Sequence, residues 1–129
     1  MAVSVKMSPA QCADLFQRAH KAGMEAGQGS RPEPMHVVQL GRHGEVVKRY
    51  APVMDGVCGF AWVTIRPGNS SFANWLRKQG KGHKGYHGGW EYWVGQFNQS
   101  LERKEAYARA FAEVCREAGV QAHAGSRMD

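Results

Sequence analysis

The segment that most limits how this chain folds is 57–65, with the sequence Val-Cys-Gly-Phe-Ala-Trp-Val-Thr-Ile. It is nine residues long, rich in β-branched and aromatic side chains, and carries no charge. This composition is typical of a strand in the interior of a sheet, because a strand at the surface usually shows one polar face. A membrane-spanning helix needs about 20 apolar residues, so the segment is too short to be one. The sequence therefore predicts a central strand that is covered on both sides.

Two long helices have recognisable ends. Ser8, Pro9 and Gln11 form the pattern of a capping box with proline at the first helical position. Ser100 suits the start of the second helix and Gly119 its end. The predicted elements are helices at 9–26 and 101–118, a short helix following 69–71, and strands at 35–40, 45–50, 57–65, 90–97 and 120–124.

The order α-β-β-β-α-β-α-β predicts an α+β fold, with a single mixed sheet and helices packed on it. At 129 residues, the whole chain fits one globular domain, 1–129. We expect mobile ends at 1–7 and 125–129. We also expect a flexible loop at 80–89, because that stretch is rich in glycine.

The cysteines indicate a reducing compartment. Cys12, Cys58 and Cys115 are widely spaced and odd in number, which favours buried, reduced thiols over a disulfide framework. The N-terminus has no apolar signal-peptide segment. We therefore expect a cytoplasmic protein with no membrane contact, in which Cys58 is buried and inert.

The strongest functional signal is the distribution of charge. The net charge is +6, and residues 56–90 contain five lysines and arginines but no acidic residue. A basic segment with aromatic neighbours is suited to contact with nucleic acid or another polyanion, although a solvated loop has the same composition. If this segment is a binding surface, its lysines and arginines must converge on one side of the fold. The candidate nucleic-acid or anion-binding residues are Arg66, Asn69, Ser70, Arg77, Lys78, Lys81, His83, Lys84, Tyr86 and His87.

Other motifs allow alternative functions. His83 and His87 have a spacing that binds zinc on a helix, but the glycines around them disfavour helix, so we expect neither a metal site nor a cofactor. The Asn69–Ser71 turn at a helix start would suit a phosphate-bearing substrate, although no acid–base pair accompanies it and we assign no catalytic residues. Trp90, Tyr92 and Trp93 put aromatic residues on both faces of strand 90–97, and an exposed face of that kind would bind another protein.

Several phrases of the sequence resemble small uncharacterised proteins encoded by tailed bacteriophages and prophages. These are Gly59-Phe60-Ala61-Trp62-Val63, Phe72-Ala73-Asn74-Trp75-Leu76, Arg103-Lys104-Glu105-Ala106-Tyr107 and Ala124-Gly125-Ser126-Arg127. The resemblance spans about the last 75 residues. It implies a protein made inside a bacterial cell that handles DNA or a host factor, and it brings no known activity. Three hypotheses follow: a nucleic-acid or polyanion-binding protein that uses 66–87, an accessory protein that binds a host or phage protein through exposed aromatic residues, and an enzyme acting on a phosphate-bearing substrate.

Overall fold

The computed structural model describes residues 5–32, 38–49 and 56–129. The predicted α+β class is confirmed: three helices accompany a four-stranded sheet and a separate two-stranded hairpin. The helices are α1 (Pro9–Gly29), α2 (Ser71–Lys78) and α3 (Leu101–Glu117). The strands are β1 (Val38–Leu40), β2 (Val46–Arg49), β3 (Gly59–Arg66), β4 (His83–Lys84), β5 (Trp90–Trp93) and β6 (Gln121–Met128).

The main sheet has the strand order β4-β5-β3-β6 and is antiparallel throughout, rather than mixed as predicted. β3 is an interior strand, as its composition indicates, and pairs with β6 over its full length. β5 and β6 both run antiparallel to β3 and therefore parallel to each other. Helix α3 connects them, so a strand–helix–strand crossover does exist. The sheet is nevertheless antiparallel because β3 lies between those two strands.

The helices cover only one side of the main sheet, so the predicted cover on both sides of β3 is wrong. Along β3, Gly59, Ala61, Val63 and Ile65 are buried, whereas the alternate residues from Phe60 to Arg66 are partly exposed. Helix α3 packs against β3 and β6, and α1 packs against α3. No described helix packs on the other side of the sheet. We call that side the open face and the opposite side the helix side.

Close contact between α1 and α3 is possible because glycines face aromatic rings. A Cβ atom on Gly23 would lie 2.7 Å from the ring of Tyr107, and one on Gly27 would overlap the ring of Phe97. Arg103 of α3 donates a hydrogen bond to the carbonyl of Gly27 at 3.2 Å. These contacts hold the last turn of α1, which explains why the helix continues to Gly29 beyond its predicted end.

A row of hydrogen-bonded side chains crosses the interior where α1 packs on α3. The Tyr107 hydroxyl lies 2.6 Å from Nδ1 of His20 and 3.4 Å from the hydroxyl of Tyr92 on β5. Burial, together with the hydrogen bond to Tyr92, raises the pKa of Tyr107 far above its ordinary value. These three side chains link α1, α3 and β5, so the position of β5 depends on the helix pair.

Several predicted boundaries shift. The sequence predicts a mobile tail at 125–129, but β6 continues to Met128 because each of its residues pairs with one on β3. The predicted strand 90–97 ends at Trp93, and Phe97 and Asn98 adopt positive φ angles of 67° and 50°. Residues 1–4, 35–37 and 50, which belong to the predicted N-terminal end and hairpin strands, lie outside the described residues.

None of the described helices is long and apolar enough to cross a membrane.

Candidate functional site

The open face carries a cluster of aromatic side chains on its two central strands. Phe60 and Trp62 project from β3, and Trp93 lies directly opposite Trp62 on β5. The ring centroids of Trp62 and Trp93 are 4.9 Å apart with an interplanar angle of 22°, and those of Phe60 and Trp93 are 5.7 Å apart. We call Phe60, Trp62 and Trp93 the aromatic cluster. All three are partly exposed, so the cluster offers aromatic surface to a ligand.

Gly125 on β6 provides the space for one member of this cluster. It pairs with Trp62 across the β3–β6 ladder. A Cβ atom at this position would lie 2.6 Å from Nε1 of Trp62 and 2.7 Å from Cε2. The indole therefore lies over the bare backbone of β6, and a larger residue there would displace it.

Positive charges surround the aromatic cluster. The guanidinium carbon of Arg127 lies 5.4 Å from the ring centroid of Phe60 and 5.7 Å from that of Trp93. Lys104 of α3 brings its Nζ atom to 5.4 Å from the Phe60 ring and donates to the Gly59 carbonyl at 3.3 Å. Lys104 is only 5% exposed, so its charge lies close beneath the surface. At the other end of β3, Arg66 donates to the carbonyl of His87 at 3.3 Å.

Glu91 is the only acidic residue in the four strands of the main sheet. It lies on the open face, opposite Thr64 on β3 and His83 on β4. Its Oε1 atom accepts a hydrogen bond from Nε1 of Trp93 at 3.0 Å. The bond fixes both the carboxylate and the indole beside it.

The structure divides the basic residues predicted from the sequence between the two sides of the sheet. Arg66 and His83 belong to the open face, where the His83 ring centroid lies 5.6 Å from that of Trp93. Tyr86, which is 92% exposed, and His87 lie in the turn that Arg66 contacts. The turn is closed by a hydrogen bond from the Gly85 amide to the Gly89 carbonyl at 3.0 Å. The predicted flexible loop 80–89 thus contains the short strand β4 and a defined turn, and its flexibility stays a prediction.

The remaining predicted cations lie on the helix side, so the five lysines and arginines of the segment do not converge on one side of the fold. The guanidinium of Arg77 lies 4.4 Å from the ring centroid of the inward-facing Trp90, and Nζ of Lys81 lies 4.9 Å from that of Phe16 on α1. Lys78 lines a shallow pocket between the start of α1 and α2. Lys84 pairs with the inward-facing Trp90 and therefore lies on the helix side. His83, the preceding residue of β4, lies on the open face, because successive residues of a strand point to opposite sides. These basic residues are close in sequence, but they do not lie on the same surface of the protein.

The predicted anion site at Asn69 and Ser70 is a helix cap. The Ser70 hydroxyl accepts a hydrogen bond from the Ala73 amide at 3.3 Å, and Ser70 is buried. The Asn69 carbonyl accepts from the side-chain amide of Asn74 at 3.0 Å. Both groups therefore stabilise α2. Within 5–32, 38–49 and 56–129, no three His, Cys, Asp or Glu residues cluster in a way that would hold a metal ion.

The aromatic residues predicted to bind a protein are also divided, by the alternation of β5. Trp90 is buried and donates to the Lys81 carbonyl at 2.8 Å. Tyr92 points inward to the ring of Phe111 at 5.3 Å, and only Trp93 points outward. The strand therefore carries aromatic residues on both of its faces, as predicted, because neighbouring residues of a strand face opposite sides. Binding of a protein partner by these residues stays a prediction.

Sequence reasoning missed Phe60, Trp62, Lys104 and Arg127. The signal for the first two was the alternation of small or aliphatic with aromatic residues along 59–65. Cys58 was also placed wrongly, because it precedes β3 and is exposed, whereas Cys12 and Cys115 are buried. Burial raises the pKa of Cys115 to about 12.

Comparison of the chain with protein-family models, with curated proteins and with solved structures finds no match.

Proposed function

We propose that this protein binds single-stranded nucleic acid on the open face of its main sheet. The observation that carries the proposal is the aromatic cluster, which lies on the two central strands with Arg127 and Lys104 beside it. Aromatic side chains on an uncovered four-stranded sheet are a recurring way to stack unpaired bases. Each stacked base contributes about 1–3 kcal/mol to binding, and every base has a face that can stack.

The charge of the protein is complementary to a nucleic-acid ligand. The net charge is +6. The four strands of the main sheet contain one acidic residue, Glu91, and three basic residues, Arg66, Lys84 and Arg127. Phosphates that follow the stacked bases would lie near Arg127 at one end of β3 and near Arg66 at the other. Neutralising phosphates releases counterions and makes binding depend steeply on salt.

The proposed ligand is a single strand rather than a duplex. In a duplex the bases are stacked on one another, so their faces are not free to contact Phe60, Trp62 or Trp93. A single strand can turn its bases toward exposed aromatic side chains. We infer that this activity takes place in the bacterial cytoplasm, because the free cysteines and the resemblance to phage proteins both favour that compartment.

The proposal is tested by fluorescence anisotropy with a labelled single strand of about ten nucleotides, a length within the range that such surfaces bind. We expect binding at low salt, weaker binding to the matching duplex, and about tenfold weaker binding by Trp62→Ala. Arg127→Ala should reduce the slope of log K against log salt by roughly 0.7. All variants should keep the circular dichroism spectrum of the wild type, because these side chains lie outside the buried core.

Lys78→Ala serves as the matched control, because it removes an exposed charge on the helix side. It should bind within about twofold of the wild type. If Trp62→Ala binds like the wild type while Lys78→Ala does not, the helix side is the binding surface. Absence of binding at low salt contradicts the proposal and favours a host or phage protein as the partner of the open face.

A further inference from the structure

Glu91 is an unexpected residue on a surface proposed to bind a polyanion. Its carboxylate lies within the same face as the aromatic cluster and would repel nearby phosphates. A hydrogen bond to Trp93 does not require a charge, because glutamine offers the same carbonyl acceptor. The negative charge therefore points to a different contact, with a part of the ligand that donates hydrogen bonds.

The carboxylate is held in place and has acceptor capacity to spare. Its Oε1 atom accepts from Trp93, and no described residue donates a hydrogen bond to Oε2. An ionised carboxylate has only acceptors, with about four lone-pair positions on its two oxygens. Glu91 is partly exposed, and its Oε2 atom lies beside the turn between β4 and β5, 3.1 Å from the position that a Cβ atom on Gly85 would occupy. A ligand would therefore reach the carboxylate from its solvent-exposed edge.

Guanine is the base whose edge fits such a group. Its Watson–Crick edge carries two adjacent donors, the N1 imino group and the 2-amino group, which match the two carboxylate oxygens. Adenine and cytosine have a single amino group beside a ring acceptor, so they offer a carboxylate one donor group where guanine offers two adjacent ones. Thymine and uracil have one imino donor between two carbonyl oxygens. Carboxylate side chains accordingly read bases through amino groups that donate to them.

The position of Glu91 suits this contact. It lies two residues from Trp93 on the same side of β5, and its bond to the indole Nε1 keeps the carboxylate beside that ring. We infer that Glu91 makes the open face selective for guanine, by accepting hydrogen bonds from the N1 and 2-amino groups of a base stacked on the aromatic cluster. This inference rests on the proposed function.

The test compares oligothymidine strands of about ten nucleotides that differ in one central base: guanine, hypoxanthine, adenine, cytosine or thymine. Hypoxanthine differs from guanine only in lacking the 2-amino group. The wild type should bind the guanine strand about tenfold more tightly than the hypoxanthine and thymine strands. Glu91→Gln should lose this preference and bind the thymine strand at least as well as the wild type, because it keeps the acceptor for Trp93 and removes the charge.

Glu113→Gln is the matched control, because it removes an exposed carboxylate from α3 and leaves the open face unchanged. It should retain the full preference for guanine. Equal binding of all five strands by the wild type, or a preference for guanine that survives in Glu91→Gln, overturns the inference while the proposed function stands. If no strand binds at low salt, the proposed function fails and the inference fails with it.

Discussion

Replacing Gly23 by alanine tests how closely α1 and α3 pack. The added Cβ atom would lie 2.7, 2.8 and 2.9 Å from three ring atoms of Tyr107, whereas ordinary contacts begin at 3.4 Å. The ring has no space to retreat into, because Tyr107 is 0% exposed and its hydroxyl is bound to His20 at 2.6 Å. Such overpacking costs about 1–3 kcal/mol. Alanine in a helix interior gains about 1 kcal/mol over glycine, so we expect a net loss of about 1 kcal/mol.

Gly29 provides the control within the same helix. No atom lies within 4 Å of the position of its Cβ, so Gly29→Ala should leave stability unchanged or raise it by up to about 1 kcal/mol. Urea denaturation followed by tryptophan fluorescence gives the free energy of unfolding of both variants. The Gly23→Ala variant should be about 1–3 kcal/mol less stable than Gly29→Ala. Equal stability of the two variants would refute the close packing of α1 on Tyr107.

Three further predictions concern the core and the thiols. Phe111→Ala should lower the free energy of unfolding by about 3–5 kcal/mol, because Phe111 is fully buried; a loss below about 1 kcal/mol in urea denaturation would place it at the surface. A maleimide should label one thiol per folded chain, at the exposed Cys58 and not at Cys12 or Cys115, as mass spectrometry of the digested protein will show. The stability of the wild type should fall by about 1 kcal/mol more than that of Cys115→Ala between pH 7 and pH 10. The raised pKa keeps the Cys115 thiol protonated in the folded protein up to about 12, whereas the thiol of the unfolded chain ionises above 9.0, so this stability is present below pH 9 and is lost above it.

The helices could be predicted from the sequence because their signals are local. Ser8 and Gln11 form the expected capping box, with distances of 3.2 and 2.8 Å, and Ser100 caps α3. Strand pairing is not a local property. The extension of β6 to Met128 depends on its partner β3, which is more than fifty residues earlier in the chain. A sequence that reads Gly-Ser-Arg-Met gives no sign of that partner.

The absence of charge identified β3 as a strand but led to the wrong prediction that both of its sides are covered. An absence of charge along 57–65 indicates burial on both sides, but the outward positions are filled by Phe60, Trp62 and Thr64 rather than by charged residues. These outward side chains carry no charge and are only partly buried. Arg127 could not be connected to them from the sequence, because only the β3–β6 register places it opposite Phe60.

Photo-crosslinking tests most directly whether the open face binds single-stranded nucleic acid. A strand that carries 5-iodouracil is bound at low salt and irradiated, and the crosslinked peptides are identified by mass spectrometry. Trp62 and Trp93 on the open face and Trp75 on the helix side are all partly exposed, so the molecule contains its own control. We expect crosslinks at Phe60, Trp62 or Trp93 and none at Trp75. Crosslinks confined to Trp75 and to residues 77–81 on the helix side would contradict binding on the open face.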